Sequence, residues 1–530
     1  MPRTPQVAEP LAVAAGTSVP DLHLPDQACL LAGALEPCTL VIFGASGDLT
    51  ARKLIPALYN LYRRGAWPQP CCVVGVARTP WSRAEFQSRM QAAVAQQQSY
   101  DASLWPGFAA SLQYYSLPYD ALPDYQGLAT FLRDMDGQYG TGGNRLFYLA
   151  VPPSLYGTIS LGLGRAGLGE EYTGGQGWAR IVVEKPFGHD LKSAQDLNAT
   201  LHQSFQEHQI FRMDHYMAKE TVQNILVWRF ANAIFEPLWN RNYIERVGII
   251  AAEKIGVEHR AGFYEQAGVL RDMFQNHLMQ LLALITLEPP SRFEAEQVRD
   301  EKVKGFRALK PFHSQSLRDN LVLGQYEAGV IDGITVPAYC QEPGVRPDSL
   351  TPTFAIMRVF IDNWRWRGVP FYLASGKRLP QKLTQLIIHF KEVPHSLFAN
   401  IGLGTIGPNR LVLGIQPEEK IILTFQTKNP GATVCLREVT MDFHYYQNYR
   451  GPVMDAYEKC LIDVMQGDQM LFWRQDGVEV CWSFFSPVID ACESCASQRD
   501  FLLPYPAGTW GPPAAQVMLR ELFGSPAREA

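Results

Sequence analysis

The stretch 39–61 restricts the fold more than any other, because its hydrophobic period changes abruptly midway. Thr39-Leu40-Val41-Ile42-Phe43 is β-branched and apolar without alternation, the pattern of a strand buried on both faces. It runs straight into Gly44-Ala45-Ser46-Gly47-Asp48-Leu49-Thr50, after which Leu54, Leu58 and Leu61 recur at helical spacing. Further strand signals follow at 72–77, at 145–151 and at 180–183. Strands alternating with helices in this way specify an α/β Rossmann-type domain, a doubly wound parallel sheet with helices on both faces.

The pattern then changes. Segments 247–251, 354–361, 383–390, 411–415 and 420–426 read as strands, and those beyond 350 are joined by loops too short for crossover helices. A second, larger α+β domain with a mostly antiparallel sheet is therefore expected. At 530 residues the chain has room for two or three domains. We read a flexible extension over 1–36, a Rossmann domain over 37–214, a substrate-binding and oligomerisation domain over 215–502, and a Pro- and Ala-rich surface tail over 503–530.

Composition removes several function classes. A net charge of -5 gives no general attraction to nucleic acid or anionic membranes, so phosphate binding must come from local basic clusters. No apolar run is long enough to span a membrane. The first 36 residues hold a single Lys or Arg, Arg3, which fits neither a secretory signal nor a transit peptide. Ten cysteines show no disulfide framework, and Cys492 with Cys495 forms a CxxC lacking a second pair at zinc-site spacing. Reduced thiols in a cytoplasmic, metal-free protein are the expectation, with a redox role for the CxxC left open.

In an open α/β sheet the ligand sits beyond the carboxyl ends of the strands. Gly44, Ser46, Gly47, Asp48 and Leu49 occupy that place after the first strand, opening a helix whose amides can hold pyrophosphate. Their spacing is shorter than the usual dinucleotide fingerprint, so the turn alone could equally serve close packing. The second strand ends in Val76-Ala77-Arg78-Thr79, where an NAD site would carry an acidic residue. Arg78 can instead pair with a 2′-phosphate, assisted by Arg52 and Lys53, which favours NADP. A solvated strand-end charge is the alternative.

Three more stretches concentrate reactive side chains. Glu184-Lys185-Pro186-Phe187-Gly188 puts a lysine at a strand end, its backbone restrained by the proline. The stretch 212–220 combines Asp214, His215, Tyr216 and Lys219; if it is helical, His215 and Lys219 share a face. Two cationic donors and a tyrosine hydroxyl suit a phosphate monoester. The stretch 271–277 ends in His277 and leads into Leu278, Leu281 and Leu282. Oxidising an alcohol needs a base for the hydroxyl proton, and histidine is the usual choice near neutral pH. Each stretch alone also reads as ordinary structure: a loop lysine in solvent, an exposed helix start, a histidine satisfied in the core.

Together they resemble the glucose-6-phosphate dehydrogenase family. Its patterns GASGDL, EKPFG, RIDHYLGKE and RDxxQNH are similar to residues 44–49, 184–188, 212–220 and 271–277, in the same order. The likeness continues through Gly368-Val369-Pro370-Phe371, Ser375-Gly376-Lys377 and Asp455-Ala456-Tyr457-Glu458. The resemblance implies that His277 is the general base and Asp214 the carboxylate that orients it. It implies a sugar-phosphate site of His215, Tyr216 and Lys219, with Lys377 contributing and Lys382 standing where some relatives have arginine. Lys185 would lie between substrate and nicotinamide, Glu253 and Asp272 would meet sugar hydroxyls, and Pro152 joins the cofactor-binding set. The implied reaction is oxidation of glucose 6-phosphate at C1 with NADP, without a metal, in a homodimer or homotetramer.

The sequence also departs from the family pattern. Met213, Met217 and Ala218 replace Ile, Leu and Gly; the first two conserve volume, and Ala218 asks for an ordinary backbone conformation. Leu383, Gly414 and Ile422 stand where relatives with a second, structural NADP carry basic or tyrosyl residues, so that site is expected to be absent. Two other readings stay open: a dehydrogenase of another sugar, and a catalytically silent NADP-binding paralogue.

Overall fold

The computed structural model describes residues 34–171, 177–312, 314–398, 407–447, 449, 451, 453–493 and 501–524. Residues 1–33 of the expected extension, Cys495 of the CxxC and residues 525–530 lie outside the described residues.

Strands β1 (Cys38–Phe43), β2 (Cys71–Ala77), β3 (Leu112–Ser116), β4 (Arg145–Leu149), β5 (Ala179–Glu184) and β6 (Ile210–Met213) form one sheet, ordered β3-β2-β1-β4-β5-β6. Every neighbouring pair is parallel. β1 and β2 are buried along their whole length, which is why they read as unbroken apolar runs. β3 and β6 escape that reading because Gln113 and Arg212 interrupt them. Strand order switches direction between β1 and β4, and a crevice opens there beyond the carboxyl ends. Gly44 follows β1, Arg78 follows β2, Pro152 lies just past β4, Lys185 follows β5 and Asp214 follows β6. Topology alone thus brings these candidates to one edge.

The second domain is built on β7 (Ile244–Ala252), β8 (Leu321–Glu327), a hairpin of β9 (Gly329–Ile331) and β10 (Ile334–Val336), β11 (Phe354–Phe360) and β12 (Pro370–Gly376). It continues with β13 (Leu383–Phe390), β14 (Arg410–Gln416), β15 (Lys420–Lys428), β16 (Leu436–His444) and β17 (Leu502–Pro506). Apart from the hairpin these make a sheet ordered β16-β15-β14-β13-β7-β12-β11-β8-β17. It is mostly antiparallel, as expected, with two parallel exceptions, β7 beside β12 and β8 beside β17. The first exception places the ends of β7 and β12 together, with Ala252 opposite Gly376, so Glu253 and Lys377 emerge side by side.

Residues 503–524 of the segment expected to be a surface tail are instead packed on this sheet. β17 pairs with β8, and helix Gln516–Phe523 packs on β7 and β12. Tyr505, Leu519 and Leu522 are buried there, and the Tyr505 hydroxyl donates to the Lys377 carbonyl at 2.7 Å. Prolines and alanines between these side chains hide their spacing in the sequence. Helices Ala456–Gln466 and Gln475–Glu493 return to the parallel sheet, where they pack on helices Ile55–Arg63 and Leu191–Leu201.

Candidate active site

His277 lies on Leu270–Leu278, a π-helical segment that continues into helix Met279–Thr286. Gly268, at φ 58°, turns the chain into that segment, and the Val269 amide donates to the Pro352 carbonyl at 3.0 Å. Both His277 and Asp214 are buried. His277 Nδ1 is 2.6 Å from Asp214 Oδ1, which also accepts from the Tyr216 amide at 3.0 Å. His277 Nε2 is 2.6 Å from Lys185 Nζ, and that ammonium also donates to Asp272 Oδ1 at 3.0 Å. The Tyr216 ring stacks on the imidazole, 4.0 Å between centroids.

The stretch 212–220 is not helical. Arg212 and Met213 end β6, residues 214–218 form a turn, and Lys219 is the N-cap of helix Glu220–Phe230. The Met217 amide donates to the Asp214 carbonyl at 3.0 Å. His215 and Lys219 therefore approach through a tight turn rather than along a helix face. Three consecutive polar or aromatic side chains after a strand end, Asp214, His215 and Tyr216, are a turn signal as much as a helix start, and the apolar Met217 and Ala218 masked it. Ala218 has no positive φ, so the missing glycine costs nothing.

Burial and charge set the protonation states. Burial pushes the His277 imidazole below its ordinary value, against the pull of Asp214, and the Lys185 ammonium pushes the same way as burial. Burial would raise the Asp214 carboxyl, but the His277 imidazole and its hydrogen bond hold it well below the usual carboxylate range. Asp272 is held low in the same manner, by Lys185, Arg260 and Lys377 against burial. His215, expected as a cationic donor, is pushed down to about 3 by burial and by His277, so it is neutral near pH 7. Burial and the Lys382 charge lower Lys219 to about 8.

These side chains line a cleft of about 630 Å³. Leu49, Pro152 and Lys185 border it from the parallel sheet, His215, Tyr216 and Lys219 from the turn after β6, and Glu253, Asp272 and Lys382 from the rest of the chain. Lys377 does not line it. It is buried behind Glu253, with Nζ 2.5 Å from Glu253 Oε2. Residues without an assigned role in the sequence reading also border the cleft: Arg260, Thr384, Glu184 and Tyr457. Arg260 and Thr384 stand in no recognisable spacing, and only tertiary folding brings them in. Tyr457 lies with its ring nearly parallel to that of His215. Asp214, His215 and His277 could also group around a metal ion, but His277 Nδ1 and Asp214 Oδ1 face each other and Nε2 faces Lys185.

The turn after β1 is tight and opens directly into a helix. Gly44 has φ 84°, and a Cβ there would lie 2.1 Å from the Ala150 carbonyl oxygen. Its amide is held by the Val76 carbonyl at 2.9 Å, leaving the turn at Ser46, Gly47 and Asp48 facing outward at the helix start. Arg78 is exposed beside it, and Thr79 reaches across to Ser46 at 3.3 Å. Asp48 pairs with Arg52 at 3.3 Å, and Lys53 lies over the Tyr457 ring at 6.0 Å.

A doubly wound parallel sheet with this turn, facing a histidine–carboxylate pair across one cleft, defines a nicotinamide-dependent dehydrogenase. The comparisons with known proteins narrow the class. Residues 41–224 match the family model described as glucose-6-phosphate dehydrogenase, NAD binding domain, and residues 226–523 match its C-terminal domain. The chain belongs to the glucose-6-phosphate dehydrogenase family. It is 46% identical over 484 residues to glucose-6-phosphate 1-dehydrogenase of Aggregatibacter actinomycetemcomitans, covering 91% of this chain and 96% of that one. It is 41% identical over 480 residues to the Bacillus subtilis protein of the same name, covering 91% and 96%. Among solved structures, a glucose-6-phosphate dehydrogenase in complex with its substrate glucose-6-phosphate superposes with a TM-score of 0.83 at 34% identity, covering 93% of this chain and 99% of that one. The Mycobacterium avium enzyme gives 0.77 at 33% identity, covering 92% and 97%.

Proposed function

We propose that the protein oxidises D-glucose 6-phosphate at C1 to 6-phospho-D-glucono-1,5-lactone with NADP⁺, the first step of the oxidative pentose phosphate pathway. The observation that carries this reading is the His277–Asp214 pair, set between the dinucleotide turn and the lysines of the second domain. Asp214 accepts from Nδ1–H, so the lone pair of His277 is on Nε2, facing the cleft. That nitrogen takes the C1 hydroxyl proton, and Asp214 stabilises the imidazolium that results. Lys219 and Lys382, with the neutral His215 and the Tyr216 hydroxyl, hold the phosphate and so fix C1 from a distance. Glu253 and Asp272 accept from sugar hydroxyls, and Lys377 braces Glu253 from behind.

NADP⁺ supplies the acceptor for the hydride from C1. Gly44, Ser46, Gly47, Asp48 and Leu49 would hold its pyrophosphate, Arg78 and Lys53 its phosphates, and Pro152 and Lys185 would flank the nicotinamide. The lysine thereby touches both halves of the reaction.

The decisive assay follows reduced nicotinamide with glucose 6-phosphate or glucose, and with NADP or NAD. Turnover with the phosphorylated sugar and none with glucose supports the reading. Binding of NADP without turnover would replace it with the silent paralogue.

Two coarser features support finer readings. Among the described residues no helix is long and apolar enough to cross a membrane, and the described cysteines form no disulfide; both suit action in the cytoplasm, which cell fractionation tests. β16 leaves Met441 and Phe443 exposed on the open end of the larger sheet. That face suits self-association as a homodimer or homotetramer, read by sedimentation equilibrium.

A further inference from the structure

One buried cation plays no part in the arrangement above. Lys302 lies on helix Ala295–Arg307, is 3% exposed and does not line the cleft. Its helix packs against Met279–Thr286, the continuation of the segment carrying His277, and against Gln475–Glu493. Phe306 of the same helix stacks on Trp473, whose amide donates to the Arg212 carbonyl at 3.0 Å, two residues before Asp214. The helix is therefore anchored to the strand end that presents the carboxylate.

Among the described residues Lys302 Nζ has no hydrogen-bond partner, and neither has Asp214 Oδ2. The Asp214 carboxylate is thus used on one side only, its Oδ1 taking both His277 Nδ1 and the Tyr216 amide. The groups whose charge acts on Lys302 are Arg299 on its own helix, Asp214 at the end of β6, and Cys481 and Arg474 from the 474–493 segment. Arg474 is committed to Asp476 and Asp300, and Arg299 to Glu296 and Gln469. Cys481 is buried, and its thiol is held far above its ordinary value by burial, so it stays neutral. Of these groups Asp214 is the one that carries a negative charge. A lysine buried without a partner is costly where a methionine would fill the same volume, so its charge calls for a role.

We propose that Lys302 is a positioning residue for the proton-transfer pair: from the core, away from the cleft, its ammonium balances the Asp214 carboxylate and keeps its charge from being spent wholly on His277. Asp214 then orients the imidazole without making Nε2 too basic to release its proton again. Burial pushes Lys302 down to about 7, so it gains its proton in the range where His277 must stay unprotonated. The groups facing His277 are Asp214, Lys185, Asp272 and His215; Lys302 acts on it through the first of these.

This inference rests on His277 as the base, and the two readings fail separately. If His277→Asn retained turnover and the same acid limb of kcat/KM, the base assignment would fall. Given a His277-dependent limb, Lys302→Met removes a positive charge near the pair, so protonation of His277 becomes easier and the limb moves to higher pH. We expect a displacement of about half a unit or more, read as roughly threefold lower kcat/KM on the acid side, with KM for glucose 6-phosphate unchanged. Lys302→Arg should restore the limb. A merely structural lysine would lower activity at all pH values and leave the limb in place, and that result overturns the proposal. If Lys302→Met does not fold, the coupling is read in reverse on ε-¹³C-lysine-labelled protein. Asp214→Asn should lower the Lys302 titration midpoint, and an unmoved midpoint equally overturns the proposal.

Discussion

Lys185 Nζ lies 2.6 Å from His277 Nε2, the nitrogen that has to accept the substrate proton. With Nδ1–H committed to Asp214, the lysine is the donor in this contact. The base is thus met by a neighbouring cation at the nitrogen that faces the cleft. Removing that cation should make His277 more basic. In Lys185→Gln the acid limb of kcat/KM is expected to move up by about half a unit to one unit, together with a loss of activity. A pH series of initial rates checks it, and a limb moving to lower pH would contradict the arrangement.

His277→Asn should reduce kcat by about two to four orders of magnitude while changing KM for glucose 6-phosphate little, because the base acts only as C1–OH loses its proton. Asp214→Asn should fall in the same range, since an amide can also donate to Nδ1 and so favour the wrong tautomer. Steady-state rates with saturating NADP decide this.

Lys219 carries a pH dependence of a different sign. Burial and Lys382 bring it down to about 8, so it loses its charge as pH rises through that value. Capture of the phosphate by free enzyme should weaken above pH 8, visible as falling kcat/KM. Lys219→Arg keeps its charge throughout and should flatten that descent, whereas Lys219→Gln should bind weakly at every pH.

Arg78 stands exposed at the end of β2, where an acidic residue would favour NAD. Arg78→Ala should lower the ratio of kcat/KM for NADP over NAD by about tenfold or more, chiefly through KM for NADP. Unchanged preference would pass that role to Arg52 or Lys53.

His389 offers a test of stability away from the chemistry. Its Nε2 donates to the Leu522 carbonyl at 2.9 Å, tying β13 to the helix that covers β7 and β12. Burial lowers the imidazole to about 4 from 6.5, so between those values the unfolded chain binds more protons than the folded one. The stability this neutral group contributes is therefore complete above pH 6.5 and lost as pH falls towards 4, by at most about 1.4 kcal/mol per unit. Denaturant midpoints at pH 7 and pH 5 should differ less in His389→Gln than in the unaltered protein.

The sequence revealed the site most clearly where chemistry is local. Gly44, Arg78 and Lys185 each follow a strand that reads as one, so recognising those strands was enough to place them at one edge; Asp214 follows β6, which the reading missed. His277 could not be paired with Asp214 from spacing, because the two are 63 positions apart and meet only when the second domain folds against the first. The family resemblance, not periodicity, supplied that pair. The place of Lys377 was hidden for a related reason: the parallel pairing of β7 and β12 sets it beside Glu253, with which it pairs behind the cleft wall. Whether 212–220 is a helix stayed open in the sequence, because a turn and a helix start use the same residue types; it is a turn leading into the helix Glu220–Phe230. The reading of a tail from 503 missed β17 and the helix Gln516–Phe523, because composition says nothing about which scattered apolar residues find a sheet to cover.

That last segment has a consequence for biosynthesis. Strands β1 to β6 can pair once residue 213 has left the ribosome, giving an early dinucleotide-type sheet with a finished turn at Gly44. The far edge of the nine-stranded sheet closes with β17, and the faces of β7 and β12 are covered by Gln516–Phe523, both far downstream of β6 in the chain. Glu253 and Lys377 stand at the ends of those two strands, so a nascent chain still tethered near 500 could assemble the cofactor side but not a settled sugar side. A chain ending before β17 would leave the faces of β7 and β12 uncovered, and with them the strand ends that carry Glu253 and Lys377.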